Sequence, residues 1–470
     1  MADFFDIREL ASVPKERKLR LAGWLAAVTL LSLLLFFLKY LDLEYAAYVI
    51  ATLASLVLFV AELACVFRSS DCRITPLFLF LAAFYLTRNS QFLMVLLGVQ
   101  FDVHHLVLLQ PHLKDAVVLT SVGNIWAGLA GVIVAVPKAQ MCRNPDAAEA
   151  DADAPVPSRV LAAGGLVTGL AAYGAIIALA AGAPSDVWGM RLLSFLGWLF
   201  IPFGFALTIR YAGKLCGAAS AGALAVYFLL SVFLGDPAAG IAGLFVLTVF
   251  FCCLWNRPGR RAHNAAVLGT VLLLLAILSG LAAYLRNPSA FAGKTFGAML
   301  AGWVSDLGRG CFALLALISI VPGSESAVWG REYASSLLSG VLPVELDPTG
   351  TLEKLTPDAA LLRGWNERYL QNAGGEIGFS ADAEGYLNFL WFGFLAVFLL
   401  CLGVSFLLDR YRFYGSNSAF PKYMACVMLW AAHTLPGHDS AHLIRMFLWG
   451  VLLMRVIWRG RKPKNEAPVS

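Results

Sequence analysis

The residues whose types and spacing could do chemistry are arginines, carboxylates and histidines placed in or beside apolar runs. Arg88 stands inside the segment Tyr85–Ser90, within such a run. An ionisable group at that depth is costly and marks function by default. Its guanidinium is a planar fork that suits phosphate oxygens, although snorkelling to an interface or pairing with Asp102 would occupy it equally well. Arg309, Arg331, Arg363 and Arg368 fall in one long connection. Two or three of them converging would clamp a pyrophosphate, whereas any single one also fits a surface salt bridge. Arg331 is the best placed, with Glu332 and Tyr333 directly after it.

A second group surrounds Glu384. The glycine-rich stretch Gly374–Ser380 and the segment Ala383–Phe389 lead into an apolar run, and glycines let a loop fold closely over a ligand. Glu384, about one helical turn before that run, either takes a hydroxyl proton or favours a helix N-terminus. Further on, His433, His438 and His442 gather with Asp439 and Arg445. Positions 438, 442 and 445 share one face of a helix, giving an acid/base or anion-binding patch. Zinc would need another ligand, and Asp439 points elsewhere on that helix, so no metal site is expected. His104 and His105 read as interfacial. No GxSxG elbow and no GxxxxGK[ST] loop occurs, so neither an activated serine nor bound ATP is expected, and no cofactor is implied. The nine cysteines form no CxxC pair and suggest no disulfide framework.

The elements that must position these residues are membrane helices. With 59% hydrophobic residues, 14% charged residues and a mean hydropathy of +0.74, the chain cannot be an ordinary soluble one. A net charge of +5 without an internal basic tract leaves no nucleic-acid footprint. A bilayer core needs about 20 apolar residues per helix. Runs of that kind fall at 20–39, 44–66, 75–98, 115–136, 160–181, 191–210, 215–234, 238–255, 264–285, 387–408, 420–436 and 442–458, which makes twelve. With the N-terminus in the cytoplasm, most Lys and Arg residues lie in the inner connections, so both termini are expected there. The start Met1–Arg20 is basic and leads into a retained helix rather than a cleaved signal.

The expected organisation is an all-α polytopic membrane protein in three parts. Residues 1–285 form a bundle of about nine spans, interrupted by an acidic cytoplasmic linker at 137–159. Residues 286–386 form a large outer loop too apolar to be a tether, and 387–470 hold the last spans and a basic tail. Within the loop, 297–321 is interrupted by Asp306 and Arg309 and reads as an amphipathic helix lying on or dipping into the outer interface. The loop has no counterpart in the N-terminal half, which argues against a two-halved carrier.

The C-terminal half resembles the bacterial oligosaccharide repeat-unit polymerases, the Wzy-type O-antigen polymerases. The resemblance rests on Trp303–Arg309, on Gly330–Tyr333 leading to Leu342 and Pro343, and on Gly378–Ser380 followed by Ala383–Phe389 and Gly393. It spans roughly 290–410 at motif level, while the many-span layout with one late large loop extends it loosely to the whole chain. Here Leu390, Trp391 and Phe392 precede Gly393, and the turn at 436–445 is rich in histidine, both departures from the family pattern.

The resemblance implies a glycosyltransferase-C-like architecture shared with O-antigen ligases, in the inner membrane with the active site facing the periplasm. The implied substrates are undecaprenyl-pyrophosphate-linked glycans as donor and acceptor. Membrane lipid, a chain-length regulator and a flippase are the implied partners, and neither metal nor nucleotide is required. On that reading Arg88, Arg309, Arg331 and Arg445 bind pyrophosphate, and Glu384, His438 or His442 is the base. Tyr333, Tyr386 and Asn388 hold sugar. The rival readings are a ligase, which would use His438 or His442, another polyprenol-dependent glycosyltransferase, which would use Asp42 or Glu44 in the first outer loop, and a lipid-linked oligosaccharide transporter.

Overall fold

The computed structural model describes residues 14–41, 44–97, 110–136, 259–286, 310–323, 326–341, 380–410 and 440–459, with isolated positions between them. Among these residues the regular elements are helices and no strand occurs. In chain order they are α1 (Lys15–Leu38), α2 (Glu44–Ser69), α3 (Pro76–Leu96), α4 (Leu113–Ala135), α5 (Arg261–Arg286), α6 (Cys311–Ile320), α7 (Arg331–Val341), α8 (Ala381–Phe389), α9 (Gly393–Arg410) and α10 (Ser440–Arg459). The expected spans 160–181, 191–210, 215–234, 238–255 and 420–436, the linker 137–159 and the rest of the outer loop lie outside the described residues.

Four described stretches are long and apolar enough to cross a membrane: Lys15–Leu38, Tyr45–Ser69, Leu113–Ala135 and Ala381–Asp409. On α1 and α2, Leu30, Leu33, Leu34, Phe37, Val57 and Val60 stand more than half exposed, as side chains facing lipid do. The chain is a multi-pass membrane protein. Local signals set where helices begin. Pro76 opens α3, at the one position where its missing N–H costs nothing, and Thr75 Oγ1 caps the same end by accepting from the Phe78 N–H at 3.2 Å.

Helix α4 is the hub, with 89% of its apolar window buried. It touches α1, α2, α3, α6, α8 and α9. Small residues at Ala116, Gly123, Ala127, Gly128 and Gly131 permit this, because close approach of backbones replaces hydrophobic driving force inside a membrane. Trp126 of α4 packs on Phe394 and Phe398 of α9 at ring distances of 5.5 and 5.3 Å. Its indole N–H donates to Ser32 Oγ of α1 at 2.9 Å.

At one end of the bundle two turns are tied together. Gly259 N–H donates to Asp71 O at 3.0 Å and Asn264 Nδ2 donates to Cys72 O at 2.7 Å. Arg68, Arg73, Arg257, Arg260 and Arg261 lie along these two turns and the helix ends beside them.

The structure corrects two expectations. Of the two placements expected for 297–321, lying on the outer interface or dipping into it, the described part, α6, does not fit the first, because it is buried in the protein. Ala313–Leu317 are essentially inaccessible and pack with Ala116, Leu119, Ala383, Tyr386 and Leu387. The reason is visible in α6 itself, which is apolar on all sides and so belongs in a core; the charges that suggested an amphipathic helix lie before it, at 306 and 309. With ten residues it reaches about 15 Å, half a bilayer core.

The second correction concerns the span expected to start at 387. Helix begins already at Ala381, runs inside the protein to Phe389, breaks over the 3-10 turn Leu390–Phe392 with Leu390 at φ 53°, and resumes as α9. The break is held by backbone contact: a Cβ on Gly385 would lie 2.7 Å from Gly393 O. No flexible side chain is there to yield, so Gly385→Ala is expected to destabilise the protein by about 1–3 kcal/mol. Thermal unfolding in detergent, with the exposed position Gly403 substituted as control, measures it.

Candidate functional site

The site is built on the first turns of α8. Ser380 precedes the helix in extended conformation (φ −129°, ψ 156°), and its Oγ accepts from the Ala383 N–H at 3.2 Å. Asp382 and Glu384 then occupy the first turn, where a carboxylate is favoured by the helix dipole. Both are buried, and they face different partners.

Asp382 is paired with Arg88 of α3. The guanidinium donates through Nε to Oδ2 and through Nη2 to Oδ1, a two-pronged ion pair. The pair lies against Gly123 of α4, where a Cβ would come within 2.6 Å of Arg88 Nη2 and 3.2 Å of Asp382 Oδ1. The Phe84 ring sits beneath the guanidinium, 4.5 Å from its carbon. The third guanidinium nitrogen, Nη1, is buried and has no hydrogen-bond partner among the described residues. The arrangement therefore presents a cation whose position is fixed by two bonds and whose remaining N–H groups are unspent.

Glu384 reaches the start of α10. Its Oε2 accepts from the Ser440 N–H at 3.0 Å and its Oε1 accepts from Ser440 Oγ at 2.7 Å. A carboxylate from α8 thus caps α10, satisfying one of the N–H groups that a helix start leaves open. Asn388, one turn further along α8, donates from Nδ2 to Glu384 O at 2.8 Å and accepts from the Glu332 N–H at 3.3 Å. That joins α7 to α8. Tyr333 of α7 stacks on Phe389, with ring centroids 6.0 Å apart and 17° between planes.

Burial pushes the Tyr333 hydroxyl well above its usual range, and the charges of Glu384, Glu332 and Asp382 push it further the same way. It therefore stays neutral at any working pH and can donate a hydrogen bond but cannot act as a base. Tyr333→Phe is expected to lower turnover by no more than about tenfold, the worth of one hydrogen bond, and to leave the shape of the pH–rate profile unchanged.

The structure brings Arg88, Glu384, Asn388 and Tyr333 to α8 and its immediate neighbours. Arg88 pairs with Asp382; the partner suggested by the sequence, Asp102, lies outside the described residues. Arg445 stands partly buried on α10, just beyond the turn that Glu384 caps, whereas Arg331 opens α7 with its side chain exposed. His442 is on the first turn of α10, with a side chain outside the described residues, as are Arg309 and His438 altogether.

Two expected sugar contacts come out differently. The Tyr386 hydroxyl donates to Val321 O at 2.9 Å inside the core, and both ends of the Asn388 amide hold the protein together. Three site residues were not singled out from the sequence: Asp382, Ser440 and Glu332. The available signal was the pairing of Asp382 with Glu384 in one helical turn behind a serine cap.

An ion pair sunk among apolar helices, beside a carboxylate that caps a second helix, defines a multi-pass membrane protein with a polar site enclosed by its bundle. Residues 221–462, just over half of the chain, match the family O-antigen polysaccharide polymerase Wzy, and the chain belongs to that family. Its activity is accordingly the polymerisation of O-antigen repeat units, a glycosyl transfer that works on lipid-linked oligosaccharides. The matched segment contains α5 to α10, so Asp382 and Glu384 lie within it and Arg88 outside it. No curated protein and no solved structure matches the chain significantly.

Proposed function

We propose that the protein joins undecaprenyl-pyrophosphate-linked repeat units at the periplasmic face of the inner membrane, with both termini in the cytoplasm and without metal or nucleotide. The observation that carries this reading is the Arg88–Asp382 pair: a buried guanidinium fixed by two bonds, with Nη1 unbonded among the described residues, in a chain of the polymerase family. A glycosyl pyrophosphate is already activated, so the protein has two tasks. It must stabilise the negative charge that grows on the leaving pyrophosphate, and it must orient the acceptor hydroxyl.

Arg88 serves the first task, with Arg445 beside the α10 cap and Arg309 and Arg331 contributed by the loop. The acceptor oxygen attacks the anomeric carbon of the donor. As that bond forms, the bond from the anomeric carbon to the pyrophosphate oxygen breaks, and the hydroxyl proton passes to a base. His438 and His442 fit that role, because the Glu384 carboxylate already accepts two hydrogen bonds from Ser440. Glu384 then acts by holding α10, and Tyr333 donates to a sugar oxygen. A chain-length regulator and a flippase are the partners that such a reaction calls for.

The test is to incubate the purified protein in nanodiscs with a defined undecaprenyl-pyrophosphate repeat unit, without metal or nucleotide, and to resolve the lipid-linked products. A ladder spaced by one repeat is expected. Transfer only after lipid A core is added would make the protein a ligase instead, and no product with the cognate unit would sink the assignment.

A further inference from the structure

Inward from the Arg88–Asp382 pair, α2, α3 and α4 enclose a seam of polar side chains that the proposed chemistry does not use. Glu62 of α2 is wholly inaccessible, and neither carboxyl oxygen has a hydrogen-bond partner among the described residues. It lies on Gly128 of α4, where a Cβ would collide with Oε2, and the same glycine leaves room for the Phe59 ring. Phe59 in turn stacks on Tyr85 of α3, centroids 4.5 Å apart, and the Tyr85 hydroxyl lies beside Ser55 of α2.

Gly123, against which Arg88 packs, and Gly128, against which Glu62 packs, are separated along α4 by about 7.5 Å. Asn124 lies between them, completely buried, with both its amide nitrogen and its oxygen unbonded. Thr120 Oγ1 and Ser121 Oγ, one turn away, and Asn89 Oδ1 on α3 are buried and unbonded as well.

Buried polar groups are almost always satisfied, by protein or by internal water, and a buried amide or carboxyl left bare costs several kcal/mol. A single bare group can be a local strain. A run of them on three facing helices, from Arg88 Nη1 through Asn124 to Glu62, is a site. Its members include donors (Arg88 Nη1, Asn124 Nδ2) and acceptors (Glu62 Oε1 and Oε2, Asn124 Oδ1), the two kinds of partner that an internal water requires.

We propose that this seam holds a thread of internal water molecules linking the Arg88–Asp382 pair to the Glu62 carboxyl. The thread solvates groups that the apolar faces of α2, α3 and α4 cannot. It also gives Glu62 a hydrogen-bonded path for proton exchange with the ion pair. The inference does not depend on which substrate the protein takes.

Radiolytic footprinting of the full-length protein in nanodiscs tests it, because hydroxyl radicals made from bound water oxidise the side chains beside it even where bulk solvent has no access. Phe59 is the reporter, and Phe80 and Phe92, equally buried phenylalanines, are the references. Phe59 should be oxidised at least several-fold faster than both, and Asn124→Leu should bring it down to their level while Glu62→Gln, which keeps a polar side chain, should not. Equal rates at the three phenylalanines in the unaltered protein would overturn the proposal, whatever the variants do. So would labelling that disappears when sodium is replaced by choline, which would assign the seam to a cation.

Discussion

Replacing Arg88 by alanine is expected to lower polymerisation by on the order of 10²–10³, the loss typical when one donor that stabilises transition-state charge is removed. Arg88→Lys should recover little, since an ammonium cannot reproduce a fork that gives two nitrogens to Asp382 and keeps a third free for a ligand. Stability separates this role from a merely structural one. Asp382→Asn leaves the guanidinium buried without its counter-charge and should cost about 3–5 kcal/mol, whereas replacing both partners by apolar residues of similar volume should restore most of it. That double variant, Arg88→Met with Asp382→Leu, is expected to extract and unfold like the unaltered protein and yet yield no ladder. If it polymerised normally, the pair would be scaffolding and the pyrophosphate contact would lie elsewhere.

Glu384 carries the second large effect. Glu384→Ala strips the Ser440 N–H and hydroxyl of their acceptor in a buried place, at about 1–3 kcal/mol for a donor left unsatisfied. Since the start of α10 then loosens, Arg445 loses its fixed position, and activity should fall further than stability does. Glu384→Gln distinguishes holding from proton transfer. Its amide oxygen can still accept one of the two bonds, so measurable polymerisation is expected. Complete inactivity of this variant in a normally folded protein would make the carboxylate itself the base.

The sequence carried the membrane character and the types of the site residues, and for clear reasons. Long apolar runs have one physical destination, so α1, α2, α4 and α5 fall close to the ranges read from hydropathy alone. A lone arginine in such a run stands out for the same reason, and so Arg88 was found. Its partner was not, because Asp382 is 294 residues away along the chain and nothing local in Ala381–Phe389 tells which of two neighbouring carboxylates faces which helix. The role of Glu384 was hidden for the same reason: its identity suggested a proton acceptor, while Ser440, 56 residues further along the chain, makes it a cap. Tyr386 and Asn388 show the complementary error. Their polar groups looked available in a sequence rich in glycine, and tertiary packing spends them on Val321 and Glu332. The burial of α6 was written in its composition, and the charges before it obscured that.

The short helix α8 also constrains how the polypeptide is made. Nine residues are too few to cross a bilayer alone, and they bring two carboxylates, Asp382 and Glu384, into the interior of the protein, where a lone charge is costly. Arg88 is synthesised 294 residues before Asp382, so it has no such counter-ion until α8 has been made. Entry of α8 is then the step that neutralises the bundle. Its docking closes the tertiary structure from the C-terminal side and draws α10 in behind it through Ser440. Truncations ending before residue 380 should accordingly insert and yet remain targets of membrane quality control, whereas chains extending past α10 escape it.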